Sequence, residues 1–160
     1  MSKPEAVIFD AYGTLLDVDG AMAAHAARLG DRWPLLSAEW RAKQLEYTWV
    51  RSLTGPALHE DFWLCTRDAL AFVCARHGIA DGALQNDLME AYRVLPAYPE
   101  VPAMLRAIRA QGIATAILSN GTPNMLADAV EAAGIAPLVD EVLSVESVGC
   151  LLYTSPSPRD

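Results

Sequence analysis

Two short apolar runs, each ending in a polar side chain and a glycine turn, constrain the fold of this chain more than any other feature. Ala6-Val7-Ile8-Phe9 is uncharged and stops at Asp10, with Gly13 close behind; Ile113-Ala114-Thr115-Ala116-Ile117-Leu118 stops at Ser119-Asn120-Gly121. Unbroken apolarity, rather than alternation, is the pattern of strands covered on both faces in a parallel sheet. The first run is therefore expected to be a buried, central strand. Open α/β sheets hold their ligands beyond the carboxyl ends of their strands. Asp10, Ser119 and Asn120 are thus expected at one sheet edge.

Between these runs the pattern is helical. Residues 21–29 are alanine-rich and stop at Gly30, Ser37 suits the N-cap of a helix over 38–53, and Gly55-Pro56 then punctuates the chain. Further helices are expected over 61–77, closing on Gly78, and over 83–95, before Pro96. After Tyr98-Pro99 come a helix over 100–111, the second apolar run, a helix over 124–133 and a short strand over 141–144. Alternating strands and helices predict a parallel sheet with right-handed crossovers. The expected organisation is a discontinuous α/β core from residues 1–15 and 97–149, interrupted by a helical block over 16–96. Residues 150–160 stand apart: they switch to a Ser-Pro-Ser-Pro run that resembles a translated sequencing adapter, and are read as a non-native tail, with a genuine disordered terminus as the alternative.

With 52% hydrophobic residues in 160, the chain has ample material for a buried core. Its 12 basic residues are scattered among 20 acidic ones, a formal charge of −8, which argues against a nucleic-acid or anionic-membrane surface and favours a small-molecule partner. No apolar run approaches the roughly 18 residues that a membrane span needs, and no basic-then-apolar leader opens the chain. The expectation is a soluble, unexported, cytoplasmic protein. Cys65, Cys74 and Cys150 are odd in number and lack metal-ligand spacing, so they are expected to be reduced, buried thiols. His25, His59 and His77 have no partner spacing, which indicates neither a metal site nor a serine-histidine triad.

An aspartate is ionised at neutral pH and can attack directly, without a base to activate it. Asp10 is therefore a candidate nucleophile, Gly13 permits the sharp turn behind it, and Thr14 is placed to hold its carboxylate. Read alone, Asp10 could equally cap a turn, and Ser119-Asn120-Gly121 is a common turn sequence. On a helix, Arg41, Gln44, Leu45 and Thr48 fall on one face at offsets of three, four and seven. That face is expected either to close a site or, for Arg41, to be an ordinary solvated charge. Phe62-Trp63 suits a pocket wall or a helical core.

The string Phe9-Asp10-Ala11-Tyr12-Gly13-Thr14-Leu15, with Ser119-Asn120-Gly121 and Trp40-Arg41-Ala42-Lys43-Gln44-Leu45-Glu46-Tyr47, resembles the haloacid dehalogenase superfamily and, within it, the (S)-2-haloacid dehalogenases. The resemblance implies a Rossmann-like core under a helical cap. It implies that Asp10 attacks the α-carbon of a short 2-haloacid, that Ser119 with the backbone N–H groups of Ala11 and Tyr12 binds the substrate carboxylate, and that Arg41 and Asn120 receive the halide. Leu45 and Phe62 would line the pocket. Phosphoryl-transferring members usually carry a second aspartate where this chain has Tyr12, which argues against a phosphatase. Neither cofactor nor metal is implied; the partners would be the 2-haloacid and water, and the full-length protein a homodimer. The family also has a lysine near position 152, where this chain has Leu152, and an acidic loop beyond it. The core is therefore expected to be incomplete at the C-terminus, with an open sheet edge prone to aggregation and with this 160-residue chain inactive. A magnesium-dependent small-molecule phosphatase and a non-catalytic binding domain are the alternatives.

Overall fold

The computed structural model describes residues 4–53 and 61–148; His59, Cys150, Leu152 and the whole tail expected over 150–160 lie outside the described residues. Three strands, β1 (Ala6–Phe9), β2 (Ala114–Ser119) and β3 (Glu141–Ser144), form one parallel sheet in the order β1-β2-β3. The helices are α1 (Gly20–Ala24), α2 (Ala26–Leu29), α3 (Trp33–Leu53), α4 (Phe62–Arg76), α5 (Gly82–Arg93), α6 (Val101–Ala110) and α7 (Pro123–Ala132). They divide between two compact units, one running up to Asp17 and resuming at Pro96, the other spanning Val18–Leu95.

The first unit is the α/β one. Phe9 pairs with Ile117 across β1 and β2, and Ser119 pairs with Ser144 across β2 and β3, so all three strands end at the same edge. α6 packs on β2 through Leu105, and α7 lies beside β3 with Met125, Leu126, Ala129 and Val130 buried. Thr122 caps α7 by accepting the Met125 N–H at 3.2 Å, and Pro123 opens the helix where no N–H is needed.

The expected central, buried position of the first strand is not where the structure puts it. Among the described residues β1 is an edge strand paired only with β2, and Ile8 is 62% exposed. The central place among the described strands belongs to β2, whose Thr115, Ile117 and Ser119 share one face of the sheet and are buried. An apolar run reports what a strand is suited to be covered by, not how many neighbours it has.

At the opposite end of β2 a polar clamp sets the register with β3. The Asp140 carboxylate accepts the Thr115 N–H at 2.8 Å and pairs with Arg109 at 2.5 Å, while the Asp140 N–H donates to the Thr115 carbonyl at 2.9 Å. The Thr115 N–H foremost, aided by Arg109, holds the Asp140 carboxyl below the usual carboxylate range. The single Thr115 hydroxyl proton is shared between the Leu138 carbonyl at 3.0 Å and Asp140 at 3.1 Å. Thr115 is 1% exposed, so a valine there leaves the Leu138 carbonyl without that donor and no water to replace it. Thr115→Val is expected to lower stability by about 1–2 kcal/mol, read as a lower urea midpoint at unchanged slope.

The second unit holds α1 to α5. The N-caps of α4 and α5 are Asp61, accepting the Leu64 N–H at 2.7 Å, and Asp81, accepting the Leu84 N–H at 2.9 Å. Asp81 also pairs with Arg28 at 2.8 Å; the Leu84 N–H foremost, aided by Arg28, keeps its carboxyl below the usual range. Two helical details differ from expectation. Residues 21–29 are broken at His25 into α1 and α2. Ser37 is not an N-cap: α3 begins at Trp33, because the turn over Gly30–Arg32 runs straight into it and Pro34 sits in the first turn, where its missing N–H costs nothing. The Ser37 hydroxyl instead donates to Asp19 at 2.5 Å. Cys65 and Cys74 are buried and in no disulfide, the Cys65 sulfur accepting from Arg51 Nη1 at 3.7 Å, and burial pushes the Cys74 thiol up. Among the described residues no helix is long and apolar enough to cross a membrane.

Candidate active site

Asp10 follows directly on β1 and opens a tight loop. The Ala11 carbonyl accepts the N–H groups of Leu15 and Leu16, both at 2.9 Å, and that of Thr14 at 3.3 Å. So sharp a reversal needs a residue outside the range open to side-chain-bearing residues, and Gly13 supplies it at φ 88°. Leu15 and Leu16, both fully buried, anchor the far side of the loop, and the Tyr98 N–H donates to the Leu15 carbonyl at 3.1 Å. Asp10 remains partly exposed. The Thr14 hydroxyl lies 3.5 Å from Asp10 Oδ2, the outer limit of a hydrogen bond, so it orients the carboxylate weakly.

The second loop leaves β2 beside the first. The pairing of Phe9 with Ile117 puts Asp10 level with Leu118 and one residue short of Ser119 on the neighbouring strand, with strands spaced about 4.8 Å apart. Ser119 is 1% exposed and its hydroxyl oxygen lies 3.4 Å from the Gly121 nitrogen, accepting its N–H; Asn120 is partly exposed.

Gly121 meets the first loop directly. A Cβ there would stand 2.8 Å from Cε2 of Tyr12 and 3.1 Å from Cδ2 of Leu126, so only glycine lets the Tyr12 ring lie against this backbone. The Ser144 hydroxyl, at the end of β3, donates to the Gly121 carbonyl at 2.6 Å and accepts the Glu146 N–H at 3.2 Å. Tyr12, Gly121 and Ser144 therefore join the three strand ends in one packed row. The sequence signal for Gly121 was a turn, which hid its steric role. Ser144 carries the same sequence signal as Ser119, a polar residue closing a strand.

Of the remaining candidates, Arg41 and Leu45 lie on α3 and Phe62 opens α4, all in the helical unit. The face carrying Arg41, Gln44, Leu45 and Thr48 exists but is not uniformly exposed. Gln44 and Thr48 are buried, whereas Arg41 and Leu45 stand at its partly exposed margin. Arg41 Nη1 donates to Gln44 Oε1 at 2.7 Å. Phe62 is buried, and its carbonyl accepts the Thr66 hydroxyl at 2.7 Å. His77 pairs with Glu39 at 2.6 Å, and that hydrogen bond holds the Glu39 carboxyl below the usual range. Among the described residues no three His, Cys, Asp or Glu side chains gather as a metal cluster would.

Chemically, a carboxylate, a buried hydroxyl and an aromatic wall thus share the carboxyl edge of a parallel sheet. Comparison with known proteins finds similar chains. The profile of the haloacid dehalogenase-like hydrolase family matches residues 4–160. The (S)-2-haloacid dehalogenase 1 of Pseudomonas sp. (strain CBS-3) is 42% identical over 160 residues, covering 99% of this chain and 68% of that protein. A crystal structure of a dehalogenase superposes with a TM-score of 0.90 at 37% identity, over 95% of this chain and 67% of that one. The L-2-haloacid dehalogenase from Xanthobacter autotrophicus, solved with chloropropionic acid covalently bound, superposes with a TM-score of 0.82 at 36% identity, over 94% of this chain and 60% of that one. The chain spans about two thirds of the length of these relatives.

Proposed function

The chain belongs to the haloacid dehalogenase-like hydrolases and groups with their (S)-2-haloacid dehalogenases, and from that membership we propose that it carries the machinery for hydrolysing short (S)-2-haloalkanoic acids to (R)-2-hydroxy acids through an ester on Asp10. One observation carries the reading: Asp10 directly after β1 and Ser119 at the end of β2 lie at the same edge of adjacent parallel strands, with the Tyr12 ring packed on Gly121.

In the first step an Asp10 carboxylate oxygen attacks C2 of the substrate opposite the halogen. The new C–O bond forms as the C–X bond breaks, and the halide leaves with its electron pair. Water then adds to the carboxyl carbon of Asp10, the acyl C–O bond breaks, and the hydroxy acid departs with inverted configuration while the proton passes to solvent. An ionised aspartate needs no activation for the first step. The Xanthobacter autotrophicus enzyme holding chloropropionic acid covalently supports an ester of this kind. Ser119 and the Ala11 and Tyr12 N–H groups bind the substrate carboxylate, Arg41 and Asn120 take up the halide, and Leu45 and Phe62 flank the alkyl group. The apolar Tyr12 ring suits a C–X carbon and offers no carboxylic acid for phosphoryl transfer.

Preparation of the hydrolytic water falls to groups in the third of the relatives' length that this chain does not span. The test joins residues 1–149 to the corresponding C-terminal segment of the Pseudomonas sp. (strain CBS-3) relative and titrates chloride released from each enantiomer of 2-chloropropionate. The extended chain is expected to consume the (S)-enantiomer alone, giving (R)-2-hydroxypropionate, while the 160-residue chain stays at background. Turnover of phosphate esters abolished by a chelator would overturn the reaction class, and equal activity of the unextended chain would overturn the need for the added segment.

A further inference from the structure

The helical unit contains a buried polar network, centred on Gln44, to which the proposed reaction gives no role beyond that of Arg41. Gln44 is 1% exposed, and a glutamine is seldom so buried unless each end of its amide is engaged. Its Nε2 lies 2.6 Å from Thr66 Oγ1 and 3.1 Å from the Tyr92 hydroxyl, and its Oε1 lies 2.7 Å from Arg41 Nη1. The orientation of this amide follows from its neighbours. Thr66, 0% exposed, directs its proton to the Phe62 carbonyl at 2.7 Å, so towards Gln44 it acts as an acceptor and faces the NH2 group. A guanidinium only donates, so the oxygen faces Arg41. Thr66 is itself held from behind, since Trp40 Nε1 donates to its carbonyl at 2.8 Å, and the Trp40 and Tyr92 rings meet at a tilt of 51° with centroids 5.1 Å apart.

We propose that Gln44 is a positioning residue for Arg41: its amide, fixed by Thr66, holds the guanidinium by one N–H and so sets the rotamer in which Arg41 meets the departing halide. The inference rests on the reading that Arg41 receives the halide. A long arginine at a partly exposed helix margin samples many rotamers, and one charge-assisted bond from a rigid, buried partner removes most of that freedom. Gln44 touches neither the substrate nor the halide in this scheme; it acts only through Arg41.

The signature is halide-dependent. Chloride is a poorer leaving group than iodide and needs more help from a placed cation. Gln44→Met keeps the volume and helix preference but removes the acceptor, and in the extended chain it is expected to lower kcat about tenfold on 2-chloropropionate and roughly twofold on 2-iodopropionate, with KM little changed. Gln44→Glu, which still accepts from Arg41, is expected to restore the wild-type chloride-to-iodide ratio. Thr66→Val leaves Gln44 in place but takes away the nearer of its two NH2 partners, leaving the Tyr92 hydroxyl; it is expected to show the same signature more weakly, and carries the test should Gln44→Met fail to fold. Arg41→Ala separates the two readings. If it leaves both halide rates unchanged, the role given to Arg41 falls; if it cuts chloride release while Gln44→Met and Thr66→Val change both halides equally, Gln44 is merely structural and the proposal is overturned.

Discussion

Asp10→Asn in the extended chain is expected to lower halide release by four orders of magnitude or more, about 5.4 kcal/mol of barrier. The amide is neutral, and its lone pair is delocalised away from the oxygen that must form the new bond to C2. The fold should survive the change. Asp10 is partly exposed and follows β1, so an isosteric amide there leaves the paired strand and the Ala11 turn intact. A second measurement separates nucleophile from base. In a single turnover in heavy-oxygen water, the label is expected in the Asp10 carboxylate and not in the hydroxy acid, because water attacks the acyl carbon. Label appearing first in the product would mean that water attacks C2 directly, and the ester would have to be abandoned.

Gly121→Ala is the second large effect. The added methyl would stand 2.8 Å from Tyr12 Cε2 and within 3.2 Å of two Leu126 side-chain atoms. Neither neighbour has room to give: Tyr12 is 3% exposed and Leu126 is fully buried. Nor does the loop move freely, since the Ser144 hydroxyl grips the Gly121 carbonyl at 2.6 Å. The expected outcome is a loss of about 1–3 kcal/mol of stability from overpacking. A displacement of Ser119 or Tyr12 approaching 1 Å is expected to cost on the order of a hundredfold in kcat/KM. Denaturant titration and chloride release on the same variant check both. Unchanged values would show that the loop yields elsewhere and that the contact with Tyr12 does not govern the site.

These two positions differ in how legible they were. Asp10 stands out from one strand, one turn and one ionisation constant, all local properties of a short string. The ends of β2 and β3 were equally readable, and their shared edge followed from the parallel alternation, as the pairing of Ser119 with Ser144 bears out. Gly121 was visible as a turn, but nothing local announces a tyrosine ring against it. Ser37 misled for the opposite reason: its type suits an N-cap, yet Asp19 claims its hydroxyl and the preceding turn starts the helix earlier. Periodicity puts Gln44 on the right face of its helix but does not tell that this part of the face turns inward to Thr66.

What the amino-acid order determined by itself was the reactive inventory and its places on strands and turns, because hydrophobic period, glycine punctuation and side-chain ionisation act over a few residues. What only the tertiary structure decided was the partner of each group: β1 at an edge of the described sheet, Tyr12 on Gly121, Ser144 on the Gly121 carbonyl, Gln44 between Thr66 and Arg41. Most of these join residues far apart in the chain, and the free energy that selects them comes from close packing and from satisfying buried polar atoms. Neither quantity exists until the chain has closed on itself.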